Sequence, residues 1–405
     1  MITVRAANVA RKSRLAAGLG AVLLGASACS GSAGAQPNGG GGGSATPTAS
    51  QAVVSVLPKN GATGVDTNGA VKVSVAKGKL TKVAVTSSDG AAVAGAISAD
   101  GRSWAPSGAL RTGTRYTVAT TAADTTGRTT VRSSSFTTLA PAASATTYGV
   151  FNVDPGATYG VGMEVSLNFT KPVTDQAAVD KAVTVTADSQ VEVRGHWFGN
   201  QRLDFRPEAY WKPGTKVTLH LRLDGVKTAS GVYGKQYKDV SFTIGRAQTS
   251  IADNTAHTLK IYRGGSLYKA YPASLGDAQH TTYNGKMVIM EKDQVVDMDS
   301  RTVHLGNAYH IKDVPHGLRL STSGTFAHGN YWRPLSVFGH QNTSHGCVGL
   351  HDVKGGGDPS TPAAWFYNNS LIGDVVQVVH SPDKTVAPDN GWNGWNMPWS
   401  QWTSN

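Results

Sequence analysis

Short runs in which apolar and polar residues alternate recur along most of the chain, and a period of two predicts β-strands. Between 51 and 145, Val71-Lys72-Val73-Ser74-Val75 and Tyr116-Thr117-Val118 are such runs, and Asn60-Gly61, Asp89-Gly90 and Asp100-Gly101 supply turns between strands. Residues 146–246 repeat the arrangement. Trp104-Ala105-Pro106 precedes Gly113-Thr114-Arg115-Tyr116-Thr117-Val118, just as Phe205-Arg206-Pro207 precedes Gly214-Thr215-Lys216-Val217-Thr218-Leu219, with the same Pro-to-Gly spacing. Each copy then closes on a similar strand, Ser135-Phe136-Thr137 and Ser241-Phe242-Thr243.

Strands at this spacing, repeated once, predict two tandem immunoglobulin-like β-sandwiches at 51–145 and 146–246, with a spacer role. The pattern changes at 247–382. Strands are expected at Thr258-Leu259-Lys260-Ile261-Tyr262, Lys286-Met287-Val288-Ile289-Met290 and Asp374-Val375-Val376-Gln377-Val378-Val379. One helix is expected where Ser360 or Thr361 can cap a first turn containing Pro362, followed by Ala363-Ala364-Trp365-Phe366-Tyr367. The fold class is therefore mainly β, with one or two helices in the third region. The tail at 383–405 holds Trp392, Trp395, Trp399 and Trp402, four of the nine tryptophans, which predicts packing against a domain surface; an aromatic platform for sugars is the alternative.

Composition places these modules outside the cytoplasm. Charged residues make up 16% of the 405, a proportion suited to extracellular β-modules. Residues 1–29 read as a secretory signal: Arg5, Arg11, Lys12 and Arg14, an apolar run at 15–24, then Gly25-Ala26-Ser27-Ala28 before Cys29. Those small residues resemble a bacterial lipobox, with Ala26 where Leu is usual, which implies lipidation of Cys29 and attachment to the outer face of the cytoplasmic membrane. Residues 30–50 are Gly-rich and polar, a flexible tether. Without the first 28 residues the net charge falls from +11 to +7, 33 basic against 26 acidic, which favours anionic surroundings such as phospholipid or wall polymer. Nucleic acid is excluded, because no basic run is interleaved with aromatics.

Only two cysteines are present, Cys29 and Cys347. With Cys29 at the processing site, Cys347 has no partner, and a lone thiol in an exported protein calls for a reason other than a disulfide. Its setting supplies one. His328-Gly329 is followed, fifteen residues counted from Gly329, by Ser344-His345-Gly346-Cys347-Val348-Gly349. A thiol attacks an acyl carbon as thiolate and needs a base nearby. Spacing alone leaves His328, His340 and His345 open as that base. Gly346 permits a sharp turn that could aim the Cys347 amide at a developing oxyanion. A zinc site is the competing account of a His-rich segment, but short metal-ligand spacings and a second cysteine are missing. No cofactor is expected.

The stretch from His328 through Ser344-His345-Gly346-Cys347 resembles the signature of the L,D-transpeptidases with a YkuD-type catalytic domain. Met298-Asp299-Ser300, Gly339-His340-Gln341-Asn342-Thr343-Ser344 and Asn396-Met397-Pro398-Trp399 extend the likeness to the multi-domain actinobacterial members. The resemblance implies Cys347 as nucleophile and His328 as base, oriented by the Gly329 carbonyl at a position where relatives often carry Ser. It also implies amides of Gly346 and Cys347 as oxyanion donors, His345 shaping the loop, and Tyr309 on a flap at about 291–318 as a hydroxyl donor. Ser344, His340, Asn342, Trp332 and Met298 are the further expected substrate contacts. Gly349 departs from the Asn or Arg common two residues after the cysteine. The implied reaction is formation of 3→3 cross-links between peptidoglycan stems, a tetrapeptide donor and a diamino-acid acceptor, with release of D-Ala and susceptibility to carbapenems. Alternatives are an L,D-carboxypeptidase acting on the same stems and a non-catalytic wall-binding lipoprotein. Sortases, which share exported Cys-His chemistry, place the cysteine in a Thr-x-Thr-Cys setting that this chain lacks.

Overall fold

The computed structural model describes residues 49–404 apart from His304, Leu305 and Ala308. The export segment, Cys29 and nearly all of the 30–50 tether lie outside the described residues.

Two copies of one strand arrangement come first. In the first, Val53–Leu57, Lys72–Ala76, Ser103–Pro106 and Gly95–Ile97 lie side by side in that order. They face a second sheet ordered Ala62–Val65, Thr129–Thr138, Arg115–Asp124 and Gly78–Ser87. The second copy has the same orders. Gly149–Phe151, Val165–Phe169, Arg202–Pro207 and Val193–Phe198 form one sheet, and Thr158–Tyr159, Tyr237–Ile244, Lys216–Arg222 and Val183–Ala187 the other. Even the exceptional pairing recurs: the short strand beside the closing one is parallel in both, Ala62 opposite Phe136 and Thr158 opposite Thr243. Alternation explains each core, since Tyr116, Val118 and Ala122 are buried on one face of Arg115–Asp124, as are Val217, Leu219 and Leu221 on Lys216–Arg222. Each such large apolar side chain contributes about 1.5–3 kcal/mol on burial. The second copy also contains a helix the alternation hides, Gln176–Ala182, capped where the Asp175 carboxylate accepts from the Ala178 amide.

The third region is a nine-stranded sheet. Its order is Gly285–Val288, Val375–Val379, Gln248–Asp253, Thr258–Arg263, Ser266–Ser274, Val348–His351, Phe326–Asn330, His310–Arg319 and Glu291–Asp299. The expected helix is present as Pro362–Asn369, with Thr361 at its N-cap and Pro362 in the first turn. It buries Ala363, Ala364 and Phe366 against the strands that carry His328 and follow Cys347.

The tail joins this sheet to the second sandwich. On one side Asn393 and Asn396 imitate a neighbouring strand: Asn393 Oδ1 accepts from the Val288 amide at 2.9 Å and Asn396 Oδ1 from the Lys286 amide at 2.8 Å. On the other side Trp395 Nε1 donates to the Gly162 carbonyl at 2.7 Å, and Trp402 Nε1 to the Arg194 carbonyl at 2.9 Å. The Arg206 guanidinium lies over the rings of Trp395, Trp399 and Trp402, at 5.0, 5.3 and 4.4 Å from their centroids. Three of the four tail tryptophans thus form an intramolecular cage.

Candidate active site

Two neighbouring parallel strands bring the thiol and the imidazole together. In Phe326–Asn330 and Val348–His351, Ala327 lies opposite Val348 and His328 opposite Gly349. Paired residues share a face, and residues two apart share it again. Cys347, one residue ahead of its strand, therefore sits on the face of His328, and Gly349 leaves the space across from the imidazole without a side chain. A Cβ on Gly349 would meet the Ser274 carbonyl at 3.2 Å. Trp332 ties the two groups further: it packs against the cluster of Cys347, Met298, Val314 and Phe326, and its ring stacks on His328 at 5.7 Å.

The turn before Cys347 is fixed by its own sequence. Gly346 has φ +103°, a conformation that glycine adopts readily. Ser344 Oγ donates to the Cys347 carbonyl at 2.6 Å and accepts from the Gly346 amide at 3.2 Å. The Gly346 amide, expected as an oxyanion donor, is thus engaged within the turn. Ser344 itself is pinned to the sheet by the Leu275 carbonyl and the Asp277 amide.

His328 Nδ1 is 2.8 Å from the Gly329 carbonyl. A carbonyl only accepts, so Nδ1 carries the proton and Nε2 presents a lone pair. Both reacting groups are buried. Burial pushes the Cys347 thiol up to about 11, against a smaller opposing hydrogen bond from the Phe326 backbone. Burial likewise pushes His328 below the usual imidazole range, opposed by the Gly329 carbonyl and the Asp352 charge. The resting pair is thiol and neutral imidazole.

A cavity of about 280 Å³ opens beside the turn, lined by Tyr309, His345, Gly346, His280, Thr281 and Asp383 among others. His345 lies between the rings of His280, at 4.5 Å, and Tyr309, at 4.8 Å. Burial followed by the His280 charge lowers its basicity. Burial raises the Tyr309 phenol to about 12, with the nearby Cys347 second, so the hydroxyl stays protonated and able to donate. Met298, Tyr309, Trp332, Ser344, His345 and Gly346 therefore gather around Cys347.

His340 and Asn342 stand apart. His340 is exposed on the loop, its amide donating to the Val337 carbonyl. The Asn342 side chain is engaged in holding that loop: Oδ1 accepts from the Leu275 amide at 2.9 Å, and Nδ2 donates to the Asn254 carbonyl at 2.9 Å. Both are positions expected to contact substrate; the Asn342 side chain holds the loop, and the His340 side chain is exposed. Sequence reasoning passed over His280 and Asp383, whose distance along the chain hides their place at the cavity, over Asp277, which accepts from His280, and over Asp352. Among the described residues no group of three or more His, Cys, Asp or Glu is arranged to hold a metal ion.

The family model of an L,D-transpeptidase catalytic domain matches residues 247–378, and that of a bacterial Ig domain matches 62–227, across both sandwiches. L,D-transpeptidase 2 of Mycobacterium tuberculosis (strain CDC 1551 / Oshkosh) is 34% identical over 388 residues, 94% of this chain and 92% of that protein. L,D-transpeptidase 5 of Mycobacterium tuberculosis (strain ATCC 25618 / H37Rv) is 30% identical over 343 residues, 82% of this chain and 72% of that one. A solved structure of an L,D-transpeptidase in complex with imipenem is 29% identical, covering 57% of this chain and 97% of that one, with a TM-score of 0.47. The similarity along nearly the whole length of both chains makes this protein a member of the L,D-transpeptidase family.

Proposed function

We propose that the protein is an exported peptidoglycan L,D-transpeptidase, held by a lipid on Cys29 at the outer face of the cytoplasmic membrane, that makes 3→3 cross-links through a thioester on Cys347. The observation that carries the reaction is the placement of Cys347 and His328 on one face of adjacent parallel strands, with the Nδ1 proton bound to Gly329. The lipid anchor and export rest on residues 1–29.

The chemistry follows from a neutral pair. As sulfur attacks the carbonyl joining the diamino acid of a tetrapeptide stem to its terminal D-Ala, the thiol proton passes to His328 Nε2. The Cys347 amide and the Tyr309 hydroxyl stabilise the tetrahedral oxyanion. The imidazolium then protonates the departing D-Ala nitrogen, and a thioester remains. In the second half-reaction the amine of a neighbouring stem attacks that thioester, neutral His328 takes the amine's proton, and the thiol is restored. Burial of Cys347 favours an amine delivered by a bound stem over bulk water, which supports transfer over hydrolysis. A carbapenem presents its ring carbonyl to the same thiol, and ring opening leaves an acyl-enzyme.

Intact-protein mass spectrometry with a disaccharide-tetrapeptide stem tests this reading. The expected result is a Cys347 adduct lacking D-Ala together with cross-linked dimer. Tripeptide without dimer would make the enzyme a carboxypeptidase, and an unmodified protein whose thiol still alkylates would remove the catalytic assignment. Palmitate labelling that survives Cys29→Ala would refute the anchor.

A further inference from the structure

Behind the imidazole lies a buried carboxylate that the reaction described above does not use. Asp352 ends the strand segment that begins at Cys347 and is 2% exposed. Its Oδ1 accepts from the Val353 amide at 2.8 Å and from Thr361 Oγ1 at 3.0 Å; its Oδ2 accepts from His316 Nδ1 at 2.7 Å. His316 is itself 3% exposed. Its Nε2 is 3.0 Å from Gln294 Nε2, which donates to it, so His316 Nδ1 carries the proton that Asp352 Oδ2 accepts. Tyr367 packs on the His316 ring at 5.2 Å, and Gly356 closes against its other side. No lysine or arginine is paired with Asp352 among the described ion pairs.

This carboxylate touches the residue that orients the base. A Cβ on Gly329 would lie 2.2 Å from Asp352 Oδ2 and 2.8 Å from its Cβ. Gly329 is outside the left-handed region, so its backbone would accept a side chain; Asp352 is what forbids one. A serine at this position would therefore have no room while Asp352 occupies its space. An unneutralised charge in this position stabilises a cation on the neighbouring imidazole, in a region where low polarity strengthens the interaction.

We propose that Asp352, held by His316 and Thr361, is a positioning residue for catalysis: it braces the Gly329 peptide that binds the His328 proton and stabilises the imidazolium formed when Cys347 gives up its own. The inference rests on the reading of His328 as base. Around His328 are Cys347 on the same face, Trp332 and the Gly329 carbonyl, with the Asp352 charge acting from the Gly329 side; around Asp352 are His316, Thr361 and the Val353 amide.

The test is the pH dependence of Cys347 alkylation by iodoacetamide in the full chain, compared between wild type, Asp352→Asn, His328→Ala and Asp352→Asn/His328→Ala. Asparagine keeps the volume and removes the charge. The midpoint of the acid limb is expected to move down by about one pH unit, with a plateau about threefold slower, because one unit is a tenfold change in basicity and only about half of it, on a logarithmic scale, appears in the rate of a general-base step. Adding Asp352→Asn to His328→Ala should change nothing further. A lower melting temperature with an unmoved midpoint would assign Asp352 a structural role only and overturn the proposal; so would equal effects of Asp352→Asn with and without His328. As a steric check, Gly329→Ser should slow alkylation alone and, combined with Asp352→Ala, should return no further than the rate of Asp352→Asn. Failure of the wild type to release D-Ala from stems would sink the transpeptidase reading and leave this comparison intact.

Discussion

Replacing Trp402 with alanine removes the side chain around which the chain's end is docked, and its effect can be worked out in advance. Trp402 is fully buried. Its ring stacks on His196 at 4.9 Å, forms the nearest wall of the Arg206 cage at 4.4 Å, and its Nε1 satisfies the Arg194 carbonyl. Truncation of a buried tryptophan costs about 3–5 kcal/mol through lost transfer energy and the cavity left behind. The cation–π contact and the orphaned carbonyl place this site toward the upper part of that range. At about 2–4 °C per kcal/mol for units of this size, the melting temperature should fall by roughly 6–20 °C. Calorimetry on the purified protein reads that shift. A separate measurement, Cys347 alkylation at 20 °C (about room temperature), should be unchanged, because Trp402 is not among the residues that pack around the thiol. A drop under about 2 °C would show that the cage contributes little and that the tail is held by Asn393 and Asn396 alone.

Ser344→Ala deletes two hydrogen bonds of the nucleophile turn, at 2.6 and 3.2 Å. About 1–3 kcal/mol should be lost from their sum, and stem acylation should slow by about tenfold or more, read as the rate of D-Ala release. Because burial holds the Cys347 thiol near about 11, thiolate absorbance at 240 nm (about the usual thiolate band) should be missing at neutral pH; its presence there would mean a resting ion pair. With the folded value above the unfolded one, the stabilisation this thiol contributes is complete below pH about 8.5 and fades as pH rises toward about 11. Glu164 behaves alike at lower pH: it is completely buried, and burial first, then Asp204, holds its carboxyl well above the usual range. Glu164→Gln should therefore raise the melting temperature at pH about 8 and leave it unchanged at pH about 4, where the unfolded chain also keeps the proton. A lower melting temperature at pH about 8 would show instead that ionised Glu164 is needed as the partner of Arg206.

The parts of this molecule that the sequence made legible are those whose physics is local. Alternation marks Arg115–Asp124 and Lys216–Arg222 because one face of each strand is buried, and the matching Pro-to-Gly spacings mark a repeated strand order. Thr361 and Pro362 announce a helix because a cap needs only three neighbouring residues. The thiol's neighbours His345 and Gly346 were readable for the same reason. What could not be read depends on register between distant strands. Nothing near His328 distinguishes it from His340; only the pairing of Phe326–Asn330 with Val348–His351 puts one on the face of Cys347 while the other stays exposed on a loop. Asn342 sits in the middle of a suggestive motif, and its side chain is bound to Leu275 and Asn254, far along the chain, which the motif does not announce. Asp352 is the strongest case. Five residues after the cysteine it reads as an ordinary strand end, and its effect on Gly329 exists only because two parallel strands and the His316 of the next strand close around it. Gly329 and Asp352 thus depend on each other: a side chain at 329 is excluded by the carboxylate, and the carboxylate packs against that peptide only because the side chain is missing.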